Sequence, residues 1–315
     1  KRPTLDDLGG GTGEGGLGMG GSRVDFFGIK DAGERVVFIV DVSRSMLEDQ
    51  RGAMPGYEAV KKKLTELING LSEGTFFGLI TFAGDVDTCF PKLRLANKQA
   101  KQDATEWIKP YNKDYNRLET LYHNYKPGTD TLESNGGTSR LDMALTAAFE
   151  MGADTIFIIT DGVPTINRPP TKEQWDEYQK KLEAWEKNKP PPLTESQRKE
   201  IQRRQKEWEE RQAKENERRA KKGLAPRIVE GGAPPVFYHD GRPFPPQPKW
   251  TTDDILHHLK GLADKLYKQK KRYPPRIHCV GYETDENAEQ FLRELARDHR
   301  GRFRRLKALV KPVHN

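Results

Sequence analysis

The sequence predicts an α/β fold, with a doubly wound, mostly parallel sheet and an inserted helical hairpin. Two apolar runs, Val36–Val40 and Ile156–Thr160, indicate the sheet, because continuous runs of this length are typical of parallel strands buried on both faces. Stretches with helical spacing of apolar residues lie between the strand-like runs, which favours alternating strands and helices. Residues 171–222 are helical in pattern but mostly charged, which indicates an insertion outside the main core.

The region before residue 111 is predicted to contain alternating strands and helices. Strands are expected at 24–29, 35–40, 75–82 and 86–90, and helices at 57–71 and 98–109. The first of these helices is indicated by Val60, Leu64 and Leu67, which recur at helical spacing. Pro110 should end the second, because proline lacks the amide hydrogen that a helix interior needs.

The region after residue 134 continues the same alternation. A helix is expected to begin near Arg140 and to lead into the buried run that ends at Thr160. A later helix at 251–271 has Asp253 and Asp254 in its first turn, where the helix dipole favours negative charge. A strand from Arg276, a helix at 286–298 and a last strand at 302–306 complete the predicted order.

The composition excludes some functional classes. Of 315 residues, 34% are hydrophobic and 32% are charged, which is too polar for one compact globule throughout. No run of about 18 apolar residues is present, so the sequence predicts no membrane span. The net charge of +7 is compatible with nucleic-acid binding. That function is not favoured, because most basic residues alternate with acids, and the one-sided 297–311 stretch lacks interleaved aromatic residues.

The two cysteines, Cys89 and Cys279, are far apart in the sequence. We expect two buried free thiols, because Cys279 lies in a strand-like run and Cys89 should lie near the opposite edge of the sheet. No group of Cys and His residues has the spacing of a zinc site.

Oxygen-bearing side chains follow the predicted strands where each strand ends. Asp41, Ser43 and Ser45 come directly after the first core strand, and Asp161 comes directly after the Ile156–Thr160 strand. Thr138 lies in a Gly-rich loop that opens the helix near Arg140. Open α/β sheets hold their ligands at the carboxyl ends of the strands, and hard oxygen donors suit Mg²⁺ or Mn²⁺. These five side chains are therefore a candidate metal site.

Two other kinds of site contain residues of this type. Each residue alone could be a helix cap or a turn residue, since Asp, Ser and Thr are common in both places. A phosphatase of the haloacid dehalogenase type also places an aspartate after a strand, but needs a second aspartate two positions later. Ser43 occupies that position, so the phosphatase interpretation is rejected.

The three-loop set resembles the von Willebrand factor A family, in its bacterial form, with its metal-ion-dependent adhesion site (MIDAS). The family pattern is D-x-S-x-S, then a distant threonine in a Gly-rich loop, then Asp-Gly after a later strand. The matching residues are Asp41, Ser43, Ser45, Thr138 and Asp161, and the resemblance extends over roughly residues 34–306. One departure is Arg44, where many members have glycine; it could point into solvent or help to hold an acidic partner.

The resemblance implies a Rossmann-like sheet in which residues 86–90 form an antiparallel edge strand. It also implies that Ser43 and Ser45 contact Mg²⁺ (or Mn²⁺) directly, with Thr138 bound directly or through water. Asp41 and Asp161 would act mainly through water. A glutamate or aspartate of a partner protein would take the remaining position. The family's last helix, which slides in members that switch affinity, is short or missing after residue 306, so such a switch is in doubt.

Insertions are expected at two places in a domain that spans residues 23–315. Residues 111–134 would form a lip beside the metal site. Residues 163–250 would form a larger insertion, with a helical hairpin at 171–222 that has a coiled-coil-like apolar seam and projects near the metal site. A Pro-rich return segment is expected at 223–250.

The first 22 residues are rich in glycine and are expected to form a flexible tether. Because the chain begins with Lys1 and not Met, we expect further sequence upstream. One arrangement compatible with such a tether is a membrane helix upstream of Lys1, with the domain outside the cytoplasm. The sequence leaves the compartment open.

The sequence thus predicts a non-enzymatic, Mg²⁺-dependent protein-binding module of the adhesion or scaffold kind. No catalytic residue or organic cofactor is predicted, because no general base, nucleophile pair or phosphate loop lies near the site. The alternative is a structural assembly protein. In that case the 171–222 hairpin would drive self-association, and the metal would only stabilise the loops.

Overall fold

The computed structural model describes residues 21–114, 117–222, 224, 226, 237–268 and 270–310. Residues 1–20 of the expected tether and much of the expected return segment lie outside these residues, whereas Ser22, the last residue of the expected tether, begins the first strand. The chain divides into two compact units, one formed by Lys1–Ile166 with Trp250–Asn315 and the other by Asn167–Lys249.

The strands and helices follow the predicted alternation. The strands are β1 (Ser22–Phe26), β2 (Ile29–Gly33), β3 (Arg35–Asp41), β4 (Phe76–Phe82), β5 (Val86–Thr88), β6 (Arg94–Leu95), β7 (Gly137–Ser139), β8 (Thr155–Thr160), β9 (Thr165–Ile166), β10 (Arg276–Tyr282) and β11 (Phe303–Leu306). The helices are α1 (Ala53–Asn69), α2 (Lys98–Ile108), α3 (Leu141–Glu150), α4 (Lys172–Lys187), α5 (Glu195–Lys221), α6 (Thr252–Lys268) and α7 (Glu286–Asp298).

The main sheet has the order β11-β10-β8-β3-β4-β5, with β6 also paired to β4. The neighbours from β11 to β4 are parallel, whereas β5 and β6 run antiparallel to β4. The predicted α/β fold with a mostly parallel sheet is therefore confirmed.

Both faces of this sheet are covered, as the continuous apolar runs predict. Val36, Phe38 and Val40 pack on one face with residues of α1 and α2. The alternate residues Val37 and Ile39 pack on the other face with residues of α3, α6 and α7. Burying one such apolar side chain contributes about 1.5–3 kcal/mol, so burial on both faces stabilises β3 between the helices.

The prediction of one continuous strand at 24–29 was wrong. These residues belong to a β-hairpin, with the turn inside the predicted range. β1 and β2 pair antiparallel across Phe27 and Gly28, which have φ values of 49° and 87°. Two central residues with positive φ match the twist of a hairpin and turn the chain within two residues. Residues 31–33, expected as a turn, belong to β2.

Both helices predicted within 171–222 are present. Each begins with a capping box, Thr171 with Gln174 in α4 and Thr194 with Gln197 in α5. The tryptophans of these helices contact the return segment: Trp185 Nε1 donates to the Asp240 carbonyl at 3.0 Å, and Trp208 packs against Phe237.

The sequence predicts no membrane span and two free thiols. Within them, no helix is long and apolar enough to cross a membrane. Both cysteines are free; Cys279 is buried, whereas Cys89 is only partly buried.

Candidate metal centre

Two aspartates lie at the carboxyl edge of neighbouring strands. Asp41 is the last residue of β3, and Asp161 directly follows β8. The two strands are parallel and in register, with Val40 opposite Ile159. Thr160 Oγ1 donates to Asp41 Oδ2 at 2.5 Å across this pair of strands. The register therefore brings both carboxylates to one place.

The two serines connect these carboxylates. The Ser43 amide donates to Asp41 Oδ1 at 2.8 Å, and the hydroxyl oxygens of Ser43 and Ser45 are 2.9 Å apart. Ser45 Oγ then donates to Asp161 Oδ1 at 3.1 Å. Asp41, Ser43, Ser45 and Asp161, four of the five predicted site residues, thus form one hydrogen-bonded group.

Thr138 lies at the same edge but is not joined to this group. It is the middle residue of β7, which pairs with β9 just after Asp161. Two residues later, the Arg140 amide donates to the Ala83 carbonyl at 2.7 Å, at the end of β4. The Thr138 side chain is exposed and makes no hydrogen bond within the described residues. Its metal-binding role stays a prediction.

The electrostatics of the site reflect two carboxylates held together out of water. Burial and the nearby Asp161 carboxylate raise the pKa of Asp41 to about 7. Burial also raises the pKa of Asp161, and the Arg51 guanidinium opposes that rise. A buried pair of like charges is unfavourable unless a cation compensates it.

Arg51 is a functional candidate that the sequence reasoning missed. Its side chain is only 7% exposed, and Nη1 lies 3.2 Å from Asp161 Oδ2. The same nitrogen donates to the Ser45 carbonyl at 2.9 Å, and Nε donates to the Tyr282 carbonyl at 3.1 Å. Arg51 therefore joins the loops that carry Ser45 and Asp161 to the end of β10. In the sequence, the only hint of a buried cation is Asp161, a carboxylate expected to be buried. The residues next to Arg51 in the sequence do not indicate that Arg51 is this cation.

The donor set fits a small hard cation. It consists of oxygen atoms only, from hydroxyls and two buried carboxylates, and such donors suit Mg²⁺ or Mn²⁺. Among the residues that the structure describes, no group of three or more His, Cys, Asp or Glu side chains could hold a metal. A centre here would therefore depend on the serine hydroxyls, which are weak ligands for softer metals.

The segment predicted as a lip, residues 111–134, contacts the loop that carries Ser43 and Ser45. Asn112 Nδ2 donates to the Val42 carbonyl at 2.9 Å, and Asn112 Oδ1 accepts from the Glu119 amide at 3.1 Å. Arg44 Nε lies 3.2 Å from Glu119 Oε1. Arg44 thus points out of the site towards the lip, and not into the serine–aspartate group.

A buried carboxylate also shapes this lip. Asp87, on β5, accepts from the Tyr111 hydroxyl at 2.8 Å and from the Leu121 amide at 2.7 Å. The Tyr122 amide adds a further donor at 3.1 Å. These bonds fix the segment on both sides of Glu119.

Fold and site together define an open α/β domain with hydroxyl and carboxylate side chains at the carboxyl edge of its sheet. Residues 36–163 match the family model of the von Willebrand factor type A domain. These residues are therefore similar to the domain of that family. No curated protein sequence is significantly similar to this chain.

Several solved structures are similar at low sequence identity. One is von Willebrand factor type A from Catenulispora acidiphila, with 13% identity, a TM-score of 0.41, and coverage of 89% of this chain and 40% of that one. Another is the vWF domain of the type V pili tip protein Mfa5 from Porphyromonas gingivalis, with 13% identity, a TM-score of 0.40, and coverage of 86% and 89%.

A third is proximal thread matrix protein 1 from the mussel byssus, solved with a zinc-occupied MIDAS motif. It has 12% identity, a TM-score of 0.38, and coverage of 88% of this chain and 44% of that one. This chain therefore spans less than half the length of the Catenulispora acidiphila and byssus proteins.

Proposed function

We propose that this chain is a Mg²⁺-dependent protein-binding module without a catalytic role. Ser43 and Ser45 bind the cation directly, Thr138 provides a ligand from the second loop, and Asp41 and Asp161 act mainly through water. The single observation that supports this most strongly is the hydrogen-bonded group that links Asp41, through both serines, to Asp161.

The charge balance explains why such a centre would bind a partner. Few charged oxygens contact the cation directly in this arrangement, so it stays electrophilic. A glutamate or aspartate of a partner protein then completes the coordination, since Mg²⁺ prefers carboxylate oxygens and octahedral geometry. In this proposal the chain supplies all ligands of the cation except one, and the partner's carboxylate supplies that one.

Calorimetric titration of Mg²⁺ and Mn²⁺ into the full chain tests this proposal. The wild type should bind one ion with measurable heat, and Asp41→Ala should bind at least about tenfold more weakly. Asp103→Ala is the matched control, because Asp103 is an exposed carboxylate on α2 that pairs with Arg94. Equal binding by the wild type and Asp41→Ala would remove the metal from the proposal.

The second candidate function is structural assembly through α4 and α5. The observation that favours it is the exposure of α5, a helix of 27 residues of which only Arg219 is buried. Such a helix leaves nearly its whole surface open to a second copy of the chain. Sedimentation of the wild type and of a 171–222 deletion decides between the candidates: a smaller species that still binds Mg²⁺ would support assembly.

A further inference from the structure

Arg44 and Glu119 form an exposed ion pair at the rim of the candidate metal centre. Arg44 lies between Ser43 and Ser45, yet its side chain points away from their hydroxyls and is 55% exposed. Its partner Glu119 is 39% exposed, and the closest contact is 3.2 Å, from Nε to Oε1. A cationic side chain is therefore held within one residue of both proposed serine ligands.

The backbone at Glu119 is held in place by a short chain of contacts. Glu119 has a φ of 71°, in the left-handed region that residues with a Cβ atom seldom adopt. The side chain of Asn112 bonds both the Glu119 amide and the Val42 carbonyl, so Glu119 is tied to the loop that carries Arg44. The surrounding structure thus keeps a strained residue beside Arg44.

Such a pair can readily exchange its anion. Exposed ion pairs contribute little to stability, because water screens them and the side chains lose freedom. A guanidinium binds a carboxylate best when both oxygens meet two of its nitrogens. The contact with Glu119 is closest through Nε, the inner nitrogen of the guanidinium. The Arg44 side chain is 55% exposed, so a carboxylate arriving from solvent can reach it.

We propose that Arg44 is a second carboxylate receptor beside the metal centre, and that Glu119 is its internal competitor. The fitting partner is an acidic segment with two neighbouring carboxylates. One carboxylate binds the cation, and the other replaces Glu119 on Arg44. This inference rests on the proposed function and adds to it the kind of partner that the site selects.

The test uses synthetic peptides and the full chain. The probes are fluorescently labelled, end-blocked Gly/Ser peptides with a single glutamate, or with two glutamates separated by zero to three residues. Fluorescence anisotropy in Mg²⁺ and in excess chelator measures their binding. The wild type should bind the best two-glutamate peptide about tenfold more tightly than the one-glutamate peptide, and only in Mg²⁺.

Two variants should change this preference in opposite directions. Arg44→Gln should remove the preference and leave binding of the one-glutamate peptide within about threefold of the wild type. Glu119→Gln should strengthen binding of the two-glutamate peptide by about threefold or more, because the competing anion is gone. Both side chains are exposed, so neither change removes a core contact.

Arg94→Gln is the matched control. Arg94 forms a pair of similar geometry and exposure with Asp103, at 3.3 Å with exposed fractions of 54% and 37%. It lies on β6, which pairs with the amino end of β4, so it is at the opposite edge of the sheet. This variant loses the same charge and should keep the preference.

The outcomes separate the inference from the function on which it rests. If the one-glutamate peptide binds in Mg²⁺ but the second glutamate adds nothing, the role of Arg44 is overturned and the metal-dependent function stands. The role of Arg44 is also overturned if Arg44→Gln and Arg94→Gln reduce the preference equally. If no acidic peptide binds in Mg²⁺, the proposed function fails and the inference fails with it.

Discussion

Ser45 Oγ donates to Asp161 Oδ1 across 3.1 Å, although the two residues are 116 positions apart in the chain. The contact exists because β3 and β8 are parallel neighbours, so the loops that follow them leave the sheet at the same edge. The candidate centre is therefore a property of the sheet register. Changes that move one loop relative to another should impair it even where no proposed ligand is altered.

Gly137 offers such a change. A Cβ atom at this position would lie 2.2 Å from the Thr165 carbonyl oxygen, a backbone atom that cannot move aside easily. Gly137→Ala should therefore break the pairing of β7 with β9 and displace Thr138. We expect Mn²⁺ affinity to fall by about tenfold or more, measured by electron paramagnetic resonance titration of free Mn²⁺.

Gly162→Ala is the control for that substitution. Gly162 directly follows Asp161, yet a Cβ atom there would meet nothing within 4 Å among the described residues. Its Mn²⁺ affinity should stay close to that of the wild type. Loss of binding in both variants, or in neither, would show that the β7–β9 pairing does not position the centre.

Thr138 is the one proposed ligand whose side chain makes no hydrogen bond within the part of the chain that the structure describes, so its role needs a direct test. Thr138→Ala should weaken Mn²⁺ binding by about 10–100-fold if the hydroxyl is a ligand. Thr138→Ser keeps the hydroxyl and should restore most of the affinity. Because the side chain is exposed, neither variant should change the unfolding midpoint measured in chelator. Equal affinities for all three proteins would exclude Thr138 from the centre.

Arg51 should be important for stability as well as for the site. Arg51→Met leaves Asp161 buried without its cation and removes the bonds to the Ser45 and Tyr282 carbonyls. Breaking a buried ion pair in this way costs roughly 3–5 kcal/mol. Urea unfolding in chelator should show this loss, whereas the exposed Arg94→Met should change the free energy of unfolding by about 0.5 kcal/mol or less. Similar losses in both variants would contradict the proposed role.

The sequence was sufficient to predict the sheet and the residues at its edge. Val36–Val40 is apolar on both faces and is followed by Asp41, so the strand, its burial and the position of Asp41 at the sheet edge follow from one short segment. Arg51 could not be predicted, because one arginine among 54 basic residues has no local signal. Its contact with Tyr282 spans 231 positions and depends on the assembled sheet.

The turn at Phe27, and the hydrogen bonds by which Asn112 links Val42 to Glu119, were not predicted from the sequence. The reason is related. Both residues have positive φ, at 49° and 52°. Phenylalanine seldom adopts that conformation, so β-propensity favoured one continuous strand at 24–29. Asn112 adopts a positive φ more readily. Its role, however, depends on hydrogen bonds to Val42 and Glu119, and only the folded chain brings these residues together.

His299 should make the stability of the domain depend on pH. The residue is 4% exposed and its ring stacks on Phe149, and burial lowers its pKa to about 4. In the unfolded chain a histidine titrates near pH 6.5. Between these values the unfolded state binds a proton that the folded state does not. The stability from His299 is therefore complete above pH 6.5 and is lost as pH falls towards 4.

A comparison with His299→Phe isolates this effect. The variant keeps an aromatic ring against Phe149 and has no group to titrate. The raised pKa of Asp41 acts in the opposite direction over the same range, but it is common to both proteins and cancels in their difference. The lowered pKa of Asp31, about 2, acts below this range. Urea unfolding at pH 6.5 and 4.5 should show the wild type losing about 2 kcal/mol relative to the variant. A constant difference between the two proteins would mean that His299 binds its proton as readily in the folded state as in the unfolded state.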